Sequence, residues 1–81
     1  MKQVQVLYFA ALRDLVGHDA EVVDVADEVD SVGELVVFLC QKYPLLRLDG
    51  VRLAKNEEFT DANARLASGD VIAFIPPVSG G

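Results

Sequence analysis

The 81-residue chain holds few side chains that could do chemistry, and they lie far apart. Its one cysteine, Cys40, ends the apolar run 35–40. A reactive thiolate needs a neighbouring base or cation, and on an apolar helix Cys40 reads as a small core residue. His18, the one histidine, follows Gly17 and reads as a solvated loop residue. Asp24, Asp27, Glu28 and Asp30 form an acidic run beside a turn. A solvated face or the start of a helix accounts for it without catalysis. The chain has neither a GxxxxGK[ST] nor a GxGxxG loop to cradle phosphate. One histidine and one cysteine well separated in sequence are too few for a metal cluster, and an iron–sulfur centre needs several thiolates.

What remains is the ending, Pro76-Pro77-Val78-Ser79-Gly80-Gly81. Glycine has no Cβ, so a glycine pair can enter a channel closed to other residues. The carboxylate beyond it is a group that another protein can capture. The plain alternative is a frayed end. The two prolines argue for the first reading. They hold the chain near polyproline geometry and project it away from the body. Six residues at that rise reach roughly 20 Å, enough to thread a buried site in a partner.

Composition bounds the rest. The length makes one small domain, near the limit at which a single core suffices without staples. A hydrophobic content of 52% is enough for that core. A lone cysteine permits no internal disulfide, which fits a reducing compartment, and a cytoplasmic location is expected. The net charge of −6 disfavours nucleic acid and favours a partner with a basic docking face. Only Lys2 precedes the first apolar stretch and no small-residue cleavage pattern follows, so no signal peptide is expected. The longest apolar run, 35–40, is too short to span a bilayer.

The elements that must present this tail follow from local patterns. Val4-Gln5-Val6-Leu7-Tyr8-Phe9 is β-branched and aromatic, apolar at both parities after Gln5, as in a central strand covered on both faces. Residues 10–16 read as a short helix ended by Gly17. Residues 21–26 read as a strand with Val23 and Val25 inward and Asp24 outward. Ser31-Val32-Gly33-Glu34 has the form of a capping box. A helix follows, with Val32, Leu35, Val36, Leu39 and Tyr43 on one face, stopped by Pro44. Val37 and Phe38 fall off that stripe and either reach a second part of the core or form a surface patch. Asp49-Gly50 is a turn, 51–55 a strand, Asn56-Glu57-Glu58 a polar turn, 59–64 a short extended piece and Ser68-Gly69-Asp70 another turn. Val71-Ile72-Ala73-Phe74-Ile75 is again apolar at both parities, and Pro76 ends it. Placing the first and last strands side by side at the sheet centre, with the long helix over one face, gives an α+β roll. Its bounds are 1–75, followed by a functional tail, 76–81.

The segment Gly69-Asp70-Val71-Ile72-Ala73-Phe74-Ile75-Pro76-Pro77-Val78-Ser79-Gly80-Gly81 resembles the C-terminus of the small subunits of molybdopterin synthase, a family of ubiquitin-like sulfur carriers. Phe9-Ala10-Ala11-Leu12-Arg13-Asp14-Leu15-Val16-Gly17 resembles that family's FAxxR[ED]xxG segment. Chain length and element order also agree. Two departures stand out: Lys55 before Asn56, where the family often has an apolar residue, and the apolar Val36-Val37-Phe38 run on a helix that is usually more polar outside.

The resemblance implies a β-grasp fold with a mixed sheet, and a non-catalytic, sulfur-donating role. An E1-like adenylating partner would use ATP and magnesium to convert the Gly81 carboxylate to an acyl-adenylate. Sulfur from a donor protein would then replace the adenylate and leave a thiocarboxylate. The tail, with Gly80, Ser79, Val78, Pro77 and Pro76 giving access, would enter the large synthase subunit in a heterotetramer. There it would supply sulfur to a cyclic pyranopterin monophosphate, forming the dithiolene of molybdopterin. The chain itself would bind no cofactor. By position, Phe9, Phe59 and Ile75 would face the partner, with Arg13 nearby. Three alternatives stay open: a ubiquitin-like modifier joined to lysines through Gly81, a carrier for thiamine or tRNA thiolation, and a plain interaction module.

Overall fold

The computed structural model describes residues 1–77. Its elements are β1 (Lys2–Tyr8), α1 (Ala10–Val16), β2 (Ala20–Val25), α2 (Val32–Lys42), β3 (Arg52–Lys55), β4 (Glu58–Thr60) and β5 (Val71–Ile75). One five-stranded sheet has the order β2-β1-β5-β3-β4. The first and last strands are central neighbours and run parallel, with Val6 beside Ile72 and Tyr8 beside Phe74. The other pairings are antiparallel. The fold is the α+β arrangement that the sequence pattern implies.

Alternation selects the covered face. Val4, Val6 and Tyr8 of β1, Val23 and Val25 of β2, and Ile72 and Phe74 of β5 are buried. The long helix places Val32, Leu35 and Leu39 in the same core, all with no exposed surface. Val36 and Tyr43 pack at its margin. Phe38 also reaches the core edge, whereas Val37 is exposed. Burial of this apolar surface is the main favourable term.

The N-cap expected at Ser31 forms. Ser31 Oγ accepts from the Glu34 N–H at 3.1 Å and donates to the Glu34 carboxylate at 3.2 Å. Two more N-terminal donors of α2 are met by a distant loop: Val32 N–H donates to Ala64 O and Gly33 N–H to Ala62 O, each at 2.9 Å. A Cβ at Gly33 would lie 3.1 Å from Ala62 O, so glycine permits this approach. The loop after β4 therefore closes the end of a helix. The extended piece expected over 59–64 is shorter, because strand pairing ends at Thr60.

One prediction of the pattern needs correction. β1 and β5 are not covered on both faces. The helix covers one face, and Gln5 is exposed while Leu7, Val71, Ala73 and Ile75 are only half-buried. Their double apolar parity has a different cause, described below.

A carboxylate fastens β2 to the helix end. Glu21 accepts from Tyr8 Oη and Tyr43 Oη, both at 2.8 Å, and from Lys42 Nζ at 3.0 Å. Burial pushes the Glu21 carboxyl up, but the three hydrogen bonds and the ammonium charge outweigh it and hold the group below its ordinary range. Burial followed by the hydrogen bond to Glu21 pushes the Tyr8 phenol well up. The sign of the pH effect follows from the lowered folded value. The Glu21 contribution is complete above its ordinary value of 4.5 and is lost as pH falls through the lower folded value. Glu21→Ala should cost about 2–3 kcal/mol at pH 7, since it also leaves the Tyr8 hydroxyl without a partner. Urea unfolding across acid pH should then show a flatter stability curve for the variant than for the wild type.

Candidate functional site: the open sheet face

Register places a distinct set of side chains on the face that α2 leaves bare. Leu7 is beside Ala73, Ala73 beside Ala54, and Ala54 beside Phe59, so one row crosses four strands. The two alanines are small and form a low floor. Phe59 rises at one side, 64% exposed, and Phe9 at the other, 46% exposed. Ile75 lies one position beyond Phe74 at the same end. These residues, with Val71 and Glu57, enclose an open groove of about 240 Å³. The groove is why 71–75 is apolar at both parities: one parity builds the core and the other builds a surface. An exposed apolar concavity of this kind is a candidate docking site.

Local backbone chemistry fixes the walls. Phe9 precedes α1 in extended conformation, at φ −119° and ψ 152°, and Ala10 turns the chain sharply at φ +51°. Gly17, at φ +89°, ends α1 in the left-handed conformation that glycine tolerates. On the other wall, the Arg52 guanidinium lies 4.2 Å over the Phe59 ring and stiffens it. The β3–β4 turn is tied to the start of β5. Asn56 Nδ2 donates to Asp70 Oδ1 at 3.0 Å, and Asn56 Oδ1 accepts from Val71 N–H at 2.9 Å. Burial pushes the Asp70 carboxyl up, but the Ala67 N–H and the Asn56 amide outweigh it and hold the group low.

The structure brings Phe9, Phe59 and Ile75, the three residues expected by position to face a partner, to one groove. Arg13 is not in it. It lies on α1 and borders an adjacent hollow with Leu7, Phe9 and Asp19. Its Nε is 3.6 Å from Asp19 and 3.8 Å from Asp14. Pro76 is half-buried and Pro77 exposed. Val78, Ser79, Gly80 and Gly81 lie outside the described residues. Cys40 lies on the helix across the sheet from the groove, half-buried, with its thiol 4.0 Å from Leu46 O. His18 is exposed. Ala54, Ala73 and Glu57 also line the groove, and the sequence pattern does not single them out. The double parity of 71–75 is the signal for Ala73, and nothing local marks the other two. Among the described residues, no helix is long and apolar enough to cross a membrane.

Comparison with known proteins gives this geometry its context. The family model described as the ThiS family matches residues 6–81. The chain belongs to the ThiS family. Within this relationship, it is 43% identical to the molybdopterin synthase sulfur carrier subunit of Mycobacterium tuberculosis, with all of both chains covered. Its fold is similar to that of SAMP1 from Haloferax volcanii, at 28% identity and a TM-score of 0.80, covering 98% of this chain and 99% of the other. It is also similar to a chain in the complex of subunits 1 and 2 of molybdopterin-converting factor from Helicobacter pylori. That match has 28% identity and a TM-score of 0.69, covering 98% and 99%. The ubiquitin-like β-grasp fold that the resemblance implies is thus the fold of this family member.

A surface wall and a core wall should respond differently to truncation. Phe59→Ala should lower stability by about 1 kcal/mol or less, because the ring is exposed. Phe74→Ala, at the buried parity, should cost about 3–5 kcal/mol. Thermal melts of the two variants compare them directly.

Proposed function

We propose that this chain is a sulfur carrier, acting as the small subunit of a molybdopterin synthase. The observation that carries the reading is the dual role of β5. Its open parity lines the apolar groove, and its last residue runs directly into Pro76-Pro77. A partner that covers the groove therefore receives the tail at a set position. Kinship with sulfur carrier subunits along the whole length supports the same role. The structure of two converting-factor subunits in complex supports a large-subunit partner, and the apolar groove is the face we assign to it.

In this reading the working group is the Gly81 carboxyl. A carboxylate is a poor electrophile, and adenylation by an E1-like partner, with ATP and magnesium, supplies a leaving group. Sulfide-level sulfur from a donor protein attacks the acyl carbon, AMP leaves, and a thiocarboxylate remains. Inside the large subunit that sulfur is transferred to the pyranopterin precursor, and two such transfers complete a dithiolene. The chain contributes reach and docking. Gly80 and Gly81 pass where side chains cannot, and Phe9, Phe59 and Ile75 supply apolar anchors of the kind that dominate interface energies. Arg13 borders the hollow next to the groove, and the expected workplace is the cytoplasm. The similarity to SAMP1, a small archaeal modifier protein, favours one second reading: conjugation through Gly81 to lysines of other proteins.

Incubation with the adenylating partner, ATP and a sulfur donor should exchange one oxygen of Gly81 for sulfur, visible by intact mass. Deleting Gly81 should abolish sulfur transfer and leave the melting temperature unchanged. A large loss of stability would make the tail structural, and an unmodified mass with a competent partner would overturn the carrier reading. Lysine conjugates in native cells would support the modifier reading.

A further inference from the structure

The turn between β3 and β4 contains a residue that its backbone does not suit. Lys55 pairs with Glu58, so Asn56 and Glu57 alone make the loop. Both have positive φ, +51° and +74°. Two such residues are the pattern of a type I′ hairpin turn, which favours asparagine first and glycine second. Asn56 fits that rule. Glu57 does not, because a side chain with a Cβ is strained in the left-handed region and glycine is not.

The turn is rigid rather than frayed. Asn56 N–H donates to Val71 O at 2.8 Å, and its side chain makes the two bonds that tie it to Asp70 and Val71. Glu57 is thus held firmly at the edge of the groove, beside Phe59 and Val71. Among the described residues, the ion pairs involve the N-terminus, Lys2, Arg13 and Lys42, and none includes Glu57. It is the one ionisable side chain lining an otherwise apolar groove. A strained residue whose charge has no ion-pair partner among the described residues points to a partner outside the chain.

We propose that Glu57 is a specificity-determining contact, pairing with a lysine or arginine that the large subunit places beside the apolar side chain it seats over Ala54 and Ala73. This rests on the groove being the large-subunit docking face. A partner with an apolar knob but no adjacent cation would strip water from this carboxylate and leave it unpaired, which disfavours that partner. A matching cation also speeds encounter with a chain of net charge −6.

The test uses the full chain and its large subunit, titrated calorimetrically at low and high salt, with thermal melts in parallel. Glu57→Gln keeps the backbone strain and removes the charge. It should bind about threefold to fivefold more weakly at low salt, with a flatter salt dependence and an unchanged melt. Glu57→Gly should bind as weakly as Glu57→Gln yet melt no lower than the wild type, because strain relief offsets the added chain entropy. A residue that served only to hold the turn would move stability and binding in the same direction. Wild-type affinity and salt dependence in Glu57→Gln would overturn the proposal while leaving the docking face intact. Failure of the wild-type chain to bind the large subunit would instead remove the docking reading and this contact with it.

Discussion

The parallel pairing of β1 with β5 is the constraint from which the rest of the molecule follows. It joins the two ends of the chain at the centre of the sheet, with Gln5 beside Val71 and Tyr8 beside Phe74. A parallel pair cannot be joined by a tight turn. The intervening residues must cross over, and that crossing includes the long helix α2 and the hairpin β3–β4. Side chains alternate with a period of two, so this one register also decides which residues share each face. A slip of one residue would move Phe74 out of the core and expose it where Ile75 now stands.

On the covered face the helix and sheet meet through branched aliphatic and aromatic side chains, and the polar groups at the edges are satisfied. Glu21 gathers two phenols and an ammonium from β1 and the end of α2. The loop at 61–66 meets the free N–H groups at the start of α2 and pairs Leu66 N–H with Asp30 O at 2.8 Å. Buried polar groups cost free energy unless bonded in this way. The departure at Lys55 has a similar explanation: its ammonium donates to Arg65 O at 3.0 Å and spans the end of the same loop. The apolar run on α2 is partly explained. Val36 and Phe38 pack against the core, and nothing in the structure accounts for the exposed Val37.

The open face separates presentation from chemistry. Apart from Glu57 its groove is apolar, a lining that suits a protein surface. In the proposed function its position on β5 would link docking to delivery, because Ile75 directly precedes Pro76-Pro77. Strain is concentrated at the groove's margins, at Ala10 beside Phe9 and at Glu57 beside Phe59. Left-handed conformations at residues with a Cβ persist only where surrounding structure over-determines them. Here they aim an aromatic wall at one side and a carboxylate at the other.

Local patterns in the chain are enough to fix the elements and the candidate working group. Ser31 with Glu34, Gly17 and Pro44 mark helix ends because capping and backbone freedom depend on neighbours a few residues away. The strand character of 71–75 and the stiff base at Pro76-Pro77 are equally local. The pairing of the first and last strands was also legible, because those two segments are the most apolar. The second apolar parity finds its place through long-range packing: it lines the groove that α2 leaves uncovered. Continuous hydrophobicity looks the same whether a second layer covers a strand or a partner awaits it. The difference lies in where α2 packs, a contact between segments distant in the chain. The floor of Ala54 and Ala73 and the position of Glu57 have the same origin. Each is an ordinary residue in sequence, and only registers formed across three strands set them around one groove.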